Sequence, residues 1–232
     1  MLKSVLSIAV AITALASFDA SEGRAETVLD AQLKAILAVL PGVYAGERPI
    51  AAPPKGEMVT IFHAFTPITA PQFGEVVVYY ELRRGTADAP ASQRKIFSFD
   101  LDPARTVNSM KAFVLGPDQA PGNLAEAPGL LASLAPDALM TFPAQCDLIW
   151  SASGTAFKAE VRPEDCGYTS VTFKKTIRPA MTYLVDGDDF QWAETLNTGD
   201  MQVIFTTGGL LPACGSRATV RRRACKRREQ SL

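Results

Sequence analysis

The stretch that decides the fold covers residues 145–175 and reads QCDLIWSASGTAFKAEVRPEDCGYTSVTFKK. Apolar and polar side chains alternate on both sides of the pair Ser153-Gly154, which is typical of a β-hairpin with one buried face. The apolar positions are Cys146, Leu148 and Trp150 before the turn, and Phe157, Ala159 and Val161 after it. The stretch therefore predicts a hairpin that contributes one face to a β-sheet core.

Two cysteines frame this hairpin. With the turn centred on residues 153–154, Cys146 pairs near Val161. The turn at residues 163–165 then brings Cys166 back to the same end. We therefore expect a Cys146–Cys166 disulfide, which for a loop of this size stabilises the fold by roughly 3 kcal/mol.

The region before the hairpin begins with a predicted helix at residues 27–40. Its apolar residues recur at helical spacing, at Leu29, Leu33, Ile36, Leu37 and Leu40. Pro41-Gly42 ends it. A helix with a single apolar face needs an apolar surface to cover, and one end of a barrel is the simplest.

Short segments with period-two alternation follow from residue 43 onward and predict about ten antiparallel strands at barrel-like spacing. Before the hairpin they are residues 58–65, 74–83, 92–101 and 107–115; after it they are 180–185, 190–194 and 201–205. Residues 116–143 are rich in Pro, Gly and Ala, and predict a long connection with one or two helical turns. A connection of this length is often functional.

The two ends of the chain differ from the body. Residues 1–25 have the charge and apolar run of a secretory signal sequence, which places the protein in the periplasm or outside the cell, with no membrane span after cleavage. An uncleaved anchor is the alternative. We expect a barrel domain at residues 26–207 and a basic tail at 208–232.

The basic tail has a strong net positive charge, in contrast to the rest of the chain. Residues 217–232 have a net charge of +6, whereas the whole chain has −1, so the remainder carries −7. The body is therefore not expected to bind nucleic acid by charge. Cys214 and Cys225 lie in this tail and either pair with each other or stay free.

Few residues suggest acid–base or metal chemistry. His63 is the single histidine and shares an apolar face with Val59, Ile61 and Phe65, so we interpret it as a core or rim residue rather than a catalyst. With one imidazole and two cysteines expected in a disulfide, no metal site is predicted. The chain also lacks a Gly-x-Ser-x-Gly nucleophile elbow and a Gly-rich phosphate loop.

Four short motifs occur in an order that resembles the CpcT/CpeT family of phycobiliprotein chromophore lyases. They are Tyr79-Tyr80-Glu81, Gln93-Arg94-Lys95-Ile96-Phe97, the Cys146–Trp150 hairpin with Cys166, and Trp192 with the run at residues 199–203. The similarity covers roughly residues 33–205. It implies an all-β fold, a calycin- or lipocalin-like barrel of about ten strands with one N-terminal helix, usually dimeric.

The resemblance also implies a function and a partner. Such a lyase would hold an open-chain tetrapyrrole, a bilin, in the barrel mouth and assist its thioether attachment to a cysteine of an acceptor protein. No cofactor beyond this ligand is required. The alternatives are an exported, non-catalytic barrel that binds a small apolar molecule, and a structural envelope protein.

Four residues are the candidate ligand contacts: Tyr80, Glu81, Arg94 and Trp150. Arg94 either holds a bilin propionate or pairs with Glu81 across the strands and sets their register. Tyr80 and Trp150 either stack on a flat ligand or fill the core. By the same resemblance, Cys146 and Cys166 are either a transient thiol carrier or the disulfide. The catalytic residues are not assigned.

Overall fold

The computed structural model describes residues 30–49, 58–102, 107–116, 118–119 and 124–212. The predicted signal sequence, Cys214, Cys225 and the basic residues from 217 onward lie outside these ranges.

Helix α1 occupies residues 30–39 and precedes the sheet. Leu33, Ile36 and Leu40 are buried, so the apolar face predicted for this helix is confirmed. The Tyr44 hydroxyl donates to the carbonyls of Val39 at 2.8 Å and Leu40 at 3.1 Å. These bonds satisfy carbonyls that the end of a helix leaves without intrahelical partners, and they fasten α1 to the first strand.

Twelve strands lie within the described ranges, and the fold is all-β as predicted. They are β1 (Gly42–Pro49), β2 (Met58–Ile68), β3 (Val76–Arg84), β4 (Gln93–Asp102), β5 (Val107–Val114), β6 (Met140–Thr141), β7 (Leu148–Ser153), β8 (Ala156–Val161), β9 (Tyr168–Ser170), β10 (Lys175–Asp186), β11 (Asp189–Thr198) and β12 (Val203–Pro212).

Ten of these strands form one continuous antiparallel path in the order β1-β2-β3-β4-β5-β7-β8-β10-β11-β12. The short strands β6 and β9 pair beside this path, with β5 and β10 respectively. The sheet curls so that Cα atoms of β1 and β12 come within 8 Å of each other. The inner side chains of nine of these strands, from β1 to β11 along the path, form one core with the apolar face of α1, so α1 covers one end of the barrel.

The hairpin at residues 145–175 forms as predicted, with small shifts. Ser153 pairs with Ala156, so the loop consists of Gly154 and Thr155. Gly154 has a φ of 63°, a backbone conformation that glycine adopts at little cost and that a two-residue hairpin loop requires. Cys146 lies in a 3₁₀ turn before the strand, and the third strand begins at Tyr168 rather than at Cys166.

The predicted disulfide between Cys146 and Cys166 is present, with a Cα–Cα distance of 4.7 Å. It joins the turn before β7 to the turn after β8. Cys166 is completely buried against the inner core, and Cys146 packs beside it. Disulfides persist mainly in oxidising compartments, so this bond is typical of a protein outside the cytosol.

Strand β10 extends further toward the N-terminus than its predicted start at residue 180, and it passes through Pro179. A proline inside a central strand removes a ladder hydrogen bond. Here β8 pairs with Met181–Val185 and β9 pairs with Lys175–Ile177, so Pro179 falls in the gap between these two partners. The strand therefore tolerates Pro179, a residue that in the sequence indicates the start of the strand at residue 180.

The long connection at residues 116–143 contains the predicted helical turns, including helix α2 (Pro128–Ser133). It packs on the outer face of β3, β4 and β5 and forms a second apolar core there. The buried members are Ala70, Phe73, Val77, Tyr79, Ile96, Phe113, Leu115, Leu124, Leu131 and Leu139. These central strands are therefore covered on both faces.

Two further observations concern the limits of the domain. Strand β12 continues to Pro212, beyond the predicted boundary at residue 207. None of the helices within the described ranges combines the length and apolar composition that crossing a bilayer requires.

We expect the disulfide to contribute substantially to stability. Replacing Cys146 and Cys166 together by Ala should lower the free energy of unfolding by about 3 kcal/mol, because the unfolded chain loses a loop constraint. For a chain of this size that corresponds to a fall in Tm of roughly 6–12 °C. Thermal unfolding followed by circular dichroism measures this change.

The matched control is the same measurement in a thiol reductant. Reduction should bring the wild-type protein to the Tm of the double variant and leave the variant unchanged. A double variant that unfolds at the wild-type temperature would show that the bond contributes nothing to the fold.

Candidate functional site

The four predicted contact residues lie on two different faces of the sheet. Successive side chains of a strand point to opposite faces. Tyr80 therefore faces the inner core, and its neighbour Glu81 faces outward. In the register of β3 and β4, Glu81 pairs with Arg94 and Tyr80 pairs with Lys95. The structure thus brings Glu81 and Arg94 together and separates them from Tyr80 and Trp150.

On the outer face, Glu81 is the centre of a buried polar cluster. Its carboxylate accepts a hydrogen bond from the Tyr79 hydroxyl at 2.9 Å and one from the Arg83 guanidinium. The Arg94 Nε lies 3.5 Å from the same carboxylate. Arg83 also donates to the carbonyl of Ala87 in the following turn. A carboxylate that is 4% exposed thus has three partners from two strands.

The long connection closes over this cluster. Burial, with the adjacent Glu81 carboxylate, raises the pKa of Tyr79 well above its ordinary value. A hydrogen bond between Tyr79 and the backbone of Leu124 lowers this pKa in part, and it links the long connection to the tyrosine. Leu124 is itself fully buried. The cluster therefore fixes the connection on the sheet.

These contacts bear directly on the sequence-based expectation for Arg94. One orientation allowed by the sequence directed Arg94 into the barrel lumen, where it would meet a ligand carboxylate. Its side chain instead lies on the outer face with Ile96 and Ser98, and its nearest anion is Glu81. The cross-strand pairing with Glu81 is the alternative that this geometry matches.

The centre of the barrel is filled by aromatic rings. Tyr80 contacts Phe65 and Phe97 at centroid distances of 5.1 and 5.4 Å. His63 contacts Trp192 at 4.9 Å, and its Nδ1 is hydrogen-bonded with the Tyr80 hydroxyl at 3.0 Å. His63 is 1% exposed, in agreement with its interpretation as a core residue.

Trp150 also faces inward but belongs to a different part of the interior. It packs against Phe99 at 6.2 Å, and it pairs in register with Asn108 on β5. The Asn108 amide donates to Gln32 of α1, so Trp150 lies toward the end that the helix covers. The Trp150 indole nitrogen has no acceptor among the described residues.

A residue that the sequence-based site omitted, Lys95, occupies the inner wall. It lies on the same face of β4 as Phe97 and Phe99, and its Nζ is 5.7 Å from the centroid of the Tyr80 ring. The sequence did contain a signal for Lys95: it is the one charged residue on the face of β4 that also carries Phe97 and Phe99. The resemblance implied an anion-binding role for Arg94 and gave none to Lys95, although both belong to the motif at residues 93–97.

Lys95 faces a second charged residue, Glu194 of β11. Glu194 lies on the face that carries Phe190 and Trp192, and it pairs with Met181 of the inner core. Desolvation lowers the pKa of Lys95, and the Glu194 carboxylate opposes that shift. Both side chains keep partial exposure to solvent. The two groups are therefore half-buried on the inner face and reach solvent there. We call this solvent-accessible part of the inner face, around Lys95 and Glu194, the opening.

The tyrosines around this opening stay neutral over the physiological range. Burial raises the pKa values of Tyr80, Tyr183 and Tyr168, and the Glu194 carboxylate raises each of them further. The interaction with Tyr183 also raises the pKa of Tyr80. The wall therefore combines one cation, one carboxylate and three neutral phenols.

This opening lies at the end of the barrel opposite α1. In an antiparallel barrel consecutive turns alternate between the two ends. The turns at residues 154–155 and 187–188 share the end covered by α1, which we call the closed end. The turns at residues 85–92 and 199–202 and the disulfide share the other end, which we call the mouth. Lys95 and Glu194 lie near the mouth.

The described part of the chain contains no group of three or more His, Cys, Asp or Glu side chains arranged to hold a metal ion. No protein-family model matches the chain, and no curated protein matches it either. The assignment of a function therefore depends on the geometry above.

The outer cluster makes a sharp prediction about stability. Replacing Glu81 by Gln leaves two partly buried guanidinium groups without their carboxylate and should cost roughly 3 kcal/mol. Replacing Arg94 by Gln leaves Glu81 with Arg83 and Tyr79, and should cost less, about 1–2 kcal/mol. Urea unfolding of the two variants measures the difference.

Arg84→Gln is the matched control, because Arg84 is exposed at the end of the same strand. Its effect should stay within about 0.5 kcal/mol. If Arg94→Gln destabilised the protein more than Glu81→Gln, Glu81 would not be the centre of the cluster.

Proposed function

We propose that the protein binds a small, flat, carboxylated ligand in the mouth of the barrel. The observation that carries this proposal is the Lys95 ammonium on the largely aromatic inner wall, 5.7 Å from the centroid of the Tyr80 ring. The resemblance to chromophore lyases suggests the chemical class, an open-chain tetrapyrrole with propionate groups. Lys95 takes the role for which the sequence had suggested Arg94.

The electrostatics of the wall favour an anionic ligand. A cation removed from water is costly unless it is paired. Glu194 attracts Lys95 from the opposite wall, and both groups retain contact with solvent. A ligand carboxylate that replaces this solvent would form a charge-assisted hydrogen bond in a poorly solvated site, where such bonds are strong.

The aromatic residues supply the apolar part of the site. Tyr80 and Tyr183 belong to the buried inner core next to the opening. In this proposal a conjugated ring system packs against that aromatic wall. The rings below them are already in mutual contact at about the distances of a packed core. A ligand would therefore be held at the mouth and would not pass through the barrel.

A chromophore lyase of the CpcT/CpeT type is the fuller version of this proposal. Such an enzyme binds and orients the bilin for attack by a cysteine of the acceptor. Because Cys146 and Cys166 form a disulfide, the thiol in this scheme belongs to the acceptor alone. The signal-like residues 1–25 and the disulfide support placing this activity in the periplasm.

A barrel without a ligand is the second candidate, and the packed aromatic centre favours it. A small barrel can be filled by its own side chains. In that case Lys95 and Glu194 would serve only as a solvated pair at the mouth. A structural envelope role would follow, and a binding measurement separates the two candidates.

We expect the protein to bind biliverdin, used as the probe, and Lys95→Gln to weaken this binding by roughly ten-fold or more. The loss corresponds to one charge-assisted hydrogen bond of about 1.5–3 kcal/mol. Arg94→Gln is the matched control, because it removes a positive charge from the adjacent residue on the opposite face. Absorbance titration measures both affinities.

Arg94→Gln should bind biliverdin as the wild type does, at a temperature where both are folded. Wild-type protein that binds no biliverdin would favour the ligand-free barrel. Equal losses in the two variants would show that general charge, rather than the inner wall, determines binding.

The affinity should also depend on pH. As pH rises through the lowered pKa of Lys95, the ammonium loses its proton and binding of a carboxylated ligand weakens. Tyr80, Tyr183 and Tyr168 remain neutral there because their pKa values are raised. Glu194 is the facing carboxylate. Titrations from neutral to alkaline pH measure this dependence.

In Lys95→Gln the decline between neutral and alkaline pH should disappear. A decline of the same size in this variant would assign the pH dependence to another group.

A further inference from the structure

Exposed apolar side chains are concentrated beside the mouth of the barrel, on two neighbouring turns and the start of β12. The β9–β10 turn carries Val171 and Phe173, the β11–β12 turn carries Met201, and the first residues of β12 include Val203 and Phe205. Their exposed fractions are 92% and 42%, and 48%, 64% and 40%. We call these five residues the tip cluster. We propose that the tip cluster docks onto the surface of a phospholipid bilayer, with the mouth of the barrel facing the lipid.

The two turns lie side by side. Ile177, just after the first turn, pairs with Thr198, just before the second. A Cβ atom at Gly199 would lie 3.3 Å from the Cβ atom of Thr176. The pKa of Asp200 in the second turn is lowered, mainly by a hydrogen bond from the Thr198 hydroxyl. Lys175, the first residue after the first turn, lowers it further. The apolar side chains therefore form one surface.

Both turns are held in place by hydroxyl groups. The Ser170 hydroxyl accepts a bond from the Phe173 amide at 3.1 Å, and the Thr198 hydroxyl accepts one from the Gln202 amide at 3.0 Å. Each turn also contains a non-glycine residue with positive φ, Lys174 at 53° and Met201 at 67°. The apolar side chains are thus presented in a fixed arrangement.

The tip cluster offers an apolar surface of a size that a bilayer accepts. Five partly exposed side chains supply on the order of 500 Å² of apolar surface, which is in the range of the largest apolar patch on a monomer, and such a patch is often functional. A standard dimer interface buries about 800 Å² from each partner, polar and apolar surface together. A bilayer can accept a smaller apolar surface, because tips that insert into the headgroup region bury all of it.

The charges near the tips fit a lipid surface. Lys174 and Lys175 are exposed beside the apolar residues, and Asp200 offsets one of the two charges. A net charge of +1 remains on residues 171–175 and 199–205. Lysine side chains at the rim of an apolar surface can reach the phosphate groups while the apolar part enters the bilayer. Anionic lipid should therefore strengthen binding modestly.

The location of the tip cluster gives the docking a direction. Phe205 pairs with Leu196, and Thr207 pairs with Glu194 of the inner wall. The tip cluster therefore continues from the rim of the same opening that contains Lys95 and Glu194. This inference goes beyond the proposed ligand binding and does not depend on it.

The test is co-sedimentation with vesicles of phosphatidylcholine containing a minority of phosphatidylglycerol. The full chain is used in every case, so any contribution of its ends is common to all proteins compared. Val171→Ser combined with Phe173→Ser should lower the partition coefficient roughly ten-fold or more, because the apolar area available for insertion falls. The double replacement lies in an exposed turn, and circular dichroism checks that the fold is kept.

Val43→Ser and Val171→Ser form the matched pair. Val43 is exposed at the closed end of the barrel, so the same change of side chain there should leave partitioning unchanged. Lys174→Gln with Lys175→Gln should weaken binding only to vesicles that contain phosphatidylglycerol. This combination of results would support docking through the tips.

Three results would overturn the proposal. In the first, the wild type sediments no more than it does without vesicles. In the second, the tip variant, which combines Val171→Ser and Phe173→Ser, sediments as the wild type does. A wild-type dimer in solution that the tip variant converts to a monomer would instead identify the tip cluster as an interface between copies. Each result is distinguishable from a failure of the ligand proposal, because biliverdin binding is measured without lipid.

Discussion

The separation of Arg94 from Lys95 is the constraint on which the account of this protein depends. In a β-strand, successive side chains point to opposite faces. Two cations at neighbouring positions of β4 therefore enter different environments. Arg94 meets Glu81, Arg83 and Tyr79 beneath the long connection, and Lys95 meets Tyr80 and the mouth of the barrel. A slip of one residue in the register would exchange their roles.

The two faces of the sheet have different roles. The outer cluster uses a carboxylate with three partners to hold residues 116–143 on the central strands. The inner face builds an aromatic core that fills the barrel and leaves two charged groups near the mouth. The disulfide joins the turns around that same end. Stability and the candidate site therefore draw on different side chains of the same strands.

The main features of the fold could be predicted from the sequence. Alternation located the hairpin at residues 145–175, the helix before β1 and nearly all of the ten strands on the continuous path. The start of β10 could not be predicted, because Pro179 reads as a strand boundary and is tolerated only in the gap between β8 and β9. The short strands β6 and β9 are too brief for a periodic pattern to identify.

The candidate site was harder to predict than the fold, for a physical reason. Strand β3 is covered on both faces, so its sequence VVVYYELRR contains apolar residues at both parities. Nothing in that run distinguishes the lumen from the outer core. The face of β4 was readable from Phe97 and Phe99, and Lys95 shares it. The face that carries Glu81 and Arg94 is the outer one because the long connection covers it.

The crystal structure of the protein with bound biliverdin tests the central claim most directly. The account predicts the ligand at the mouth, with a propionate carboxylate about 2.7–2.9 Å from the Lys95 Nζ and the conjugated rings against Tyr80. Arg94 should keep its contact with Glu81. A ligand whose carboxylate lies on Arg94 at the outer face, or one that leaves Lys95 in contact with solvent alone, would contradict the account.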